Sequence, residues 1–225
     1  MATPEIRGEL SVRGATVGTA WIAPPGARGT LVVAHGAGVG MDHPFLTGFC
    51  RAMGEEAVAT LRFNFPYMER GRRSPDPESL LREAWLAAFD RAAERTGGPV
   101  LAGGKSLGGR IASMCVADGM PAAGLVFLGY PLHPPGKPER IRDEHLYRIT
   151  VPMLFLEGTA DPFARPEVLG PVLGKLGDLA EHHAIEGGDH SFRVRGDRRD
   201  DREIGAALAG QAAAFVRRVI RASTR

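Results

Sequence analysis

Hydrophobic and polar positions along the chain fall into two alternating rhythms. Short apolar runs of five to seven residues recur at 30–34, 57–63, 99–103, 124–129 and 152–158, and a more polar strand is expected at 180–185. Their length, their Val and Leu content and the lack of polar alternation predict buried strands. Between them lie longer stretches with apolar residues three and four apart, which predicts helices at 44–56, 77–96, 109–117, 165–177 and 201–222. Leu80, Leu81, Ala84, Trp85, Ala88, Phe89 and Ala92 make one such stripe. The last helix turns Ile204, Leu208, Phe215, Val219 and Ile220 inward and leaves Arg217, Arg218 and Arg221 for solvent. Residues 6–12 and 17–23 read as a hairpin. After it, strands and helices alternate, which predicts a mostly parallel sheet covered on both faces. No linker or internal repeat interrupts residues 1–225, so a single domain is expected.

Composition narrows the class. Hydrophobic residues make up 44% of the 225 and charged residues 24%, as in ordinary globular proteins. A net charge of +2 is too small to argue for a nucleic-acid partner. No apolar run reaches the length of a membrane span. The start, Met1 to Arg7, has no apolar core, so no signal peptide is expected and the cytoplasm is the default location. Cys50 and Cys115 lie in helix-like segments and read as buried free thiols. His182 and His183 are neighbours on a strand, where side chains point to opposite faces, so no shared metal is expected.

Chemistry concentrates at strand ends. Gly104-Lys105-Ser106-Leu107-Gly108 fits the G-x-S-x-G pattern, with a strand before it and a helix after it. That context makes Ser106 a candidate nucleophile in a sharp turn, the alternative being an ordinary serine in a glycine-rich strand-to-helix turn. A nucleophilic serine needs a base, and the base needs a carboxylate. Asp161 follows the strand 152–158, and His190 follows the strand 180–185, in the chain order serine, acid, histidine. Asp189 and Glu157 compete for the acid role. Thr30 to Ala34 runs into His35-Gly36-Ala37-Gly38, where a backbone N–H, Ala37 by preference and Gly38 otherwise, can join that of Leu107 as an oxyanion donor. His35 reads as a structural loop residue, because the base should follow the acid.

With these parts in place the chain resembles the α/β-hydrolases over nearly its whole length. Within them, Gly-Gly-Lys-Ser106-Leu-Gly-Gly-Arg and Arg62-Phe63-Asn64-Phe65-Pro66-Tyr67 followed by Gly71-Arg72-Arg73-Ser74-Pro75-Asp76 resemble the Tex30/KANL3-like group. That group is similar to the dienelactone hydrolases and is described as predicted hydrolases. The resemblance implies an eight-stranded sheet and a Ser106–Asp161–His190 triad. It implies no substrate, and the dienelactone hydrolases themselves use a cysteine where this chain has Ser106.

The function expected is a serine hydrolase without a cofactor, cleaving an ester or related acyl bond of a small soluble molecule. A thioesterase, a peptidase and a non-catalytic interaction module on the same fold are the alternatives. The segment 131–150 is short and carries Pro131, Pro134, Pro135 and Pro138, which leaves no room for a large cap. Gly38, Lys105 and Tyr67 are candidate substrate contacts, and Lys105 and Tyr67 each have a structural alternative. Arg70, Arg72 and Arg73 read either as an anion site or as a solvated loop partnered by Glu69, Asp76 and Glu78.

Overall fold

The computed structural model describes residues 3–223; Met1 and Ala2, part of the start read above, lie outside them. Eight strands form one sheet: β1 (Glu5–Val12), β2 (Ala15–Ile22), β3 (Thr30–Ala34), β4 (Ala59–Phe63), β5 (Val100–Lys105), β6 (Leu125–Leu128), β7 (Met153–Gly158) and β8 (Ala180–Ile185). Their order is β1-β2-β4-β3-β5-β6-β7-β8. The hairpin β1–β2 is antiparallel and meets β4 antiparallel. From β4 to β8 every pairing is parallel. The fold is therefore the mostly parallel, eight-stranded sheet that the alternation of elements predicts, with no large cap on it.

Each central strand feeds two cores. Val32, Ala34, Ala102, Leu125 and Phe127 point to one face of the sheet, while Leu31, Val33, Leu101, Val126 and Leu128 point to the other. Successive side chains of a strand alternate in direction, so both faces need apolar residues, and the strands read as unbroken hydrophobic runs. The first face is covered by α3 (Glu78–Arg95), α4 (Leu107–Ala117) and α5 (Pro166–Leu176) through Trp85, Ile111 and Leu169. The second is covered by α1 (Pro44–Glu55), α6 (Asp201–Ala207) and α7 (Ala209–Ser223) through Phe49, Ile204 and Phe215.

Four local readings change. The final helix is two helices, α6 and α7, meeting at Leu208. Before the break, α6 packs closely on α1. A Cβ on Gly205 would overlap the Phe45 carbonyl, and one on Gly48 would overlap that of Arg202. The elbow helix starts at Leu107, two residues earlier than its apolar periodicity suggests. Pro66–Glu69 forms a short helix, α2, and residues 144–148 of the Pro-rich stretch form a 3₁₀ turn. Among the described residues no helix is long and apolar enough to cross a membrane. Cys50 and Cys115 are free and buried.

Candidate active site

The carboxyl ends of β3, β5, β7 and β8 meet at one edge of the sheet, where loop groups and helix N-termini converge. The tightest turn is at Ser106, between β5 and α4. Its φ is 50° and its ψ is −114°, a conformation most residues avoid. Two glycines make that turn buildable. A Cβ on Gly104 or on Gly108 would overlap the Ala34 carbonyl of β3. The Trp85 indole donates to the Gly108 carbonyl at 3.0 Å and holds the start of α4 from α3. Ser106 makes no side-chain cap on α4, so it is not an ordinary capping serine.

Its hydroxyl lies 2.8 Å from His190 Nε2. His190 Nδ1 lies 2.6 Å from Asp161 Oδ2. Asp161 is fully buried, and its other oxygen accepts from the Phe163 N–H at 2.7 Å. Asp161 therefore cannot swing away from the histidine without losing a second bond. The Phe163 ring stands edge-on to His190, with centroids 4.6 Å apart, and closes that side of the imidazole. The structure thus brings Ser106, His190 and Asp161 into one hydrogen-bonded line.

The competing acids do other work. Asp189 accepts from the Ser191 and Arg193 N–H groups and so shapes its own loop. Glu157 is buried inside β7, and its Oε1 accepts from the Tyr130 N–H. Burial holds its carboxyl well above the usual range.

The β3–α1 loop lies alongside. Both ring nitrogens of His35 are engaged: Nδ1 lies 2.8 Å from the Gly36 carbonyl, and Nε2 accepts from the Phe65 N–H at 3.0 Å. Burial pushes its pKa down to about 4, so the ring is neutral and structural. Ala37 and Leu107 both line the cleft beside Ser106, and neither N–H has an acceptor among the described residues. Gly38 does not line it; with φ 76° it turns the loop toward the Arg73 carbonyl.

The cleft has a volume of about 600 Å³, within the range of small-molecule sites. Its walls include Phe45 from α1, Pro131, Pro134 and Pro135 from the segment after β6, and Phe163. Lys105 lines it, with Nζ 5.6 Å from the centre of the Phe192 ring. Burial lowers its pKa to about 8, against the pull of Asp161, Glu157 and Asp189. Tyr67 does not reach the cleft. It is fully buried behind the His35 loop, with its hydroxyl 3.4 Å from the Gly36 carbonyl. Arg70 and Arg72 are held by Asp76 and stay clear of the cleft, as does Arg73. Of the partners expected for them only Asp76 serves: Glu69 accepts from the Gly18 N–H and the Asn64 amide, and Glu78 pairs with Arg82. The sequence reading passed over Arg110, Arg142, Arg193, His43 and Asp201, all of which line the cleft. Arg110 alone left a trace, as the last residue of the Gly-Gly-Arg string.

Known proteins share this arrangement of strands and helices. A dienelactone hydrolase from Anabaena variabilis superposes with a TM-score of 0.74 at 19% identity, covering 97% of this chain and 99% of its own. A serine hydrolase without a lid from Xanthomonas campestris gives 0.75 at 20% identity over 98% and 97%. A cold-adapted esterase from an Arctic intertidal metagenomic library gives 0.67 at 14% over 95% and 94%. At such identities the likeness is one of fold. The family model described as an alpha/beta hydrolase domain matches residues 27–219, which takes in β3, the Ser106 turn, Asp161, His190 and most of α7. It does not resolve the Tex30/KANL3-like group within the family. On that match, and with the sheet order to support it, the chain belongs to the α/β hydrolase family.

Proposed function

We propose that this protein is a serine hydrolase that cleaves an ester or a related acyl bond of a small molecule, with Ser106, His190 and Asp161 as its triad. The observation that carries the reading is the continuous line from Ser106 Oγ to His190 Nε2 at 2.8 Å and from His190 Nδ1 to Asp161 at 2.6 Å. Asp161 accepts a hydrogen bond from the Nδ1–H and so leaves the Nε2 lone pair facing the hydroxyl. As Ser106 Oγ attacks a carbonyl carbon, its proton moves to Nε2. The buried Asp161 carboxylate stabilises the imidazolium that forms.

Negative charge then collects on the former carbonyl oxygen. The unpaired N–H groups of Ala37 and Leu107, beside the N-terminus of α4, are the donors for it. His190 returns the proton to the leaving oxygen, and an acyl group stays on Ser106. A water then gives its proton to Nε2 and attacks the acyl carbon, and His190 passes that proton to Ser106 Oγ as the acid leaves, which restores the serine. No step calls for a cofactor. Lys105, next to the nucleophile, stays in this scheme as a cationic contact for substrate.

The test is labelling by a fluorophosphonate probe together with turnover of 4-nitrophenyl acetate. Wild type is expected to do both. Ser106→Ala is expected to do neither, with kcat lower by about 10⁶. Folded wild-type protein that is inert to both reagents would refute the triad.

A further inference from the structure

The turn that carries Asp161 has a second side. Phe163 faces the cleft of Ser106, but Thr159 and Ala164 face another hollow, between the ends of β7 and β8 and the helix α5. Its volume is about 160 Å³, and it shares no lining residue with the cleft. Ala164, Leu169 and Leu173 give it apolar walls, and Glu157 lines its buried end. Met153 and Phe155 belong to the core beneath α5, so Glu157, two residues further along β7, points to the same face.

Acyl transfer gives Glu157 nothing to do, and its own hydrogen bonds do not close. Oε1 accepts from the Tyr130 N–H, while Oε2 is buried with no partner among the described residues. Burial keeps the carboxyl protonated, and with Oε1 already accepting, the proton belongs on Oε2. A buried O–H without an acceptor is costly to leave unmet. His182, beside Phe155 in the sheet, lines the same hollow, and burial holds it toward its neutral form as well. The Thr159 hydroxyl already accepts from the Gly187 N–H. No lysine or arginine lines the hollow, so nothing there balances an anion. An occupant therefore meets apolar walls and one strong donor, and no counter-charge.

We propose that this hollow binds a small neutral carbonyl compound, whose oxygen accepts from Glu157 Oε2 and whose apolar body lies against Leu169 and Leu173. An apolar cavity of about 150 Å³ holds benzene, so the occupant has about six or seven non-hydrogen atoms. It rests on Thr159 and Ala164, which flank Asp161 in a turn closed by the Asp161 N–H on the Gly158 carbonyl at 3.0 Å. It thus braces from behind the turn that holds Asp161. The site stands whether or not Ser106 is a nucleophile.

Pinacolone, a neutral ketone, and pivalate, a carboxylate of nearly the same shape, are titrated into isotope-labelled protein and followed by amide NMR shifts. Pinacolone is expected to move the Thr159, Ala164 and Gly170 signals saturably, with Kd on the order of 1 mM. Pivalate is expected to bind at least about tenfold more weakly. Gly170 lines the hollow and has open space where a Cβ would stand, so Gly170→Leu fills the site without touching the core. It is expected to weaken pinacolone at least about tenfold. Glu157→Gln keeps a donor and an acceptor and should bind within about threefold of wild type, whereas Glu157→Met, which keeps neither, should lose about tenfold. The spectrum of each free variant shows whether it is folded, and Gly170→Leu decides alone if Glu157→Met is not. Shifts that never saturate or that gather only around Ser106 and His190 would overturn the site. So would pivalate binding as tightly as pinacolone, or undiminished binding by Gly170→Leu or by folded Glu157→Met.

Discussion

At the scale of single residues, Asp161 is the side chain whose role is most sharply set by its surroundings. It is buried, one oxygen is fixed by the Phe163 N–H, and the other faces His190 Nδ1. Asparagine has the same shape, but its amide nitrogen would donate where Asp161 accepts. The imidazole would then carry its proton on Nε2 and could no longer accept from Ser106. Asp161→Asn is therefore expected to keep the fold and lose about 10⁴ in kcat on 4-nitrophenyl acetate, the scale of a wrong tautomer in other triads. Full activity in a folded Asp161→Asn enzyme would mean that His190 does not act as the base. Glu157 makes the useful contrast. It is as deeply buried and lies nearby, yet it serves the Tyr130 N–H, so its removal acts on the β6–β7 end of the sheet and not on the tautomer of His190.

Between elements, the decisive contact is the approach of α4 to β3. The chain turns so sharply at Ser106 that Gly108, one residue into α4, lies against the Ala34 and His35 carbonyls. A methyl group there has nowhere to go, because the obstruction is backbone. Gly108→Ala is expected to push the start of α4 outward, carrying the Leu107 N–H with it. Displacements of about 1 Å in such a site cost on the order of a hundredfold in rate. kcat/KM and the melting temperature should fall together. Gly210→Ala, in α7 with open space around it, should leave activity alone and stabilise by about 0.5–1 kcal/mol. Similar behaviour of the two variants in activity and melting would contradict this account.

The glycines at 104 and 108 were legible in the sequence because a turn of that kind needs them, and the strands because both their faces are buried. The order of serine, acid and histidine was legible because each follows a strand. The break between α6 and α7 was not, since the apolar periodicity runs through Leu208 without a flaw. Nor were the cleft walls at Arg110, Arg142 and Phe163, which come from elements far apart in the chain. Tyr67 illustrates the same limit. The sequence leaves it free to line the pocket or to pack, and its ring lies under the His35 loop.

Across the whole molecule, the site edge is stitched together by buried polar groups that respond to pH in opposite senses. His35 ties the end of β3 to Phe65, two residues past β4, and burial holds its pKa near 4 against an ordinary value near 6.5. Between those values the unfolded chain carries a proton that the native one lacks. The histidine's contribution is therefore whole above pH about 6.5 and is lost as pH falls toward 4. Glu157 works the other way. Its raised pKa keeps a proton on the native carboxyl, so its part is whole below about 4.5 and lost as pH rises. The stability profile of wild type sums these and does not isolate either. A difference does. In His35→Gln an amide oxygen can accept from the Phe65 N–H, and the titration is gone. The stability advantage of wild type over this variant, measured by urea unfolding, should be about 2 kcal/mol smaller at pH 4.5 than at pH 7.5. An advantage independent of pH, or one that grows in acid, would mean that His35 is not held neutral in the native loop. The loop that presents Ala37 to the cleft would then owe its shape to something other than that buried ring.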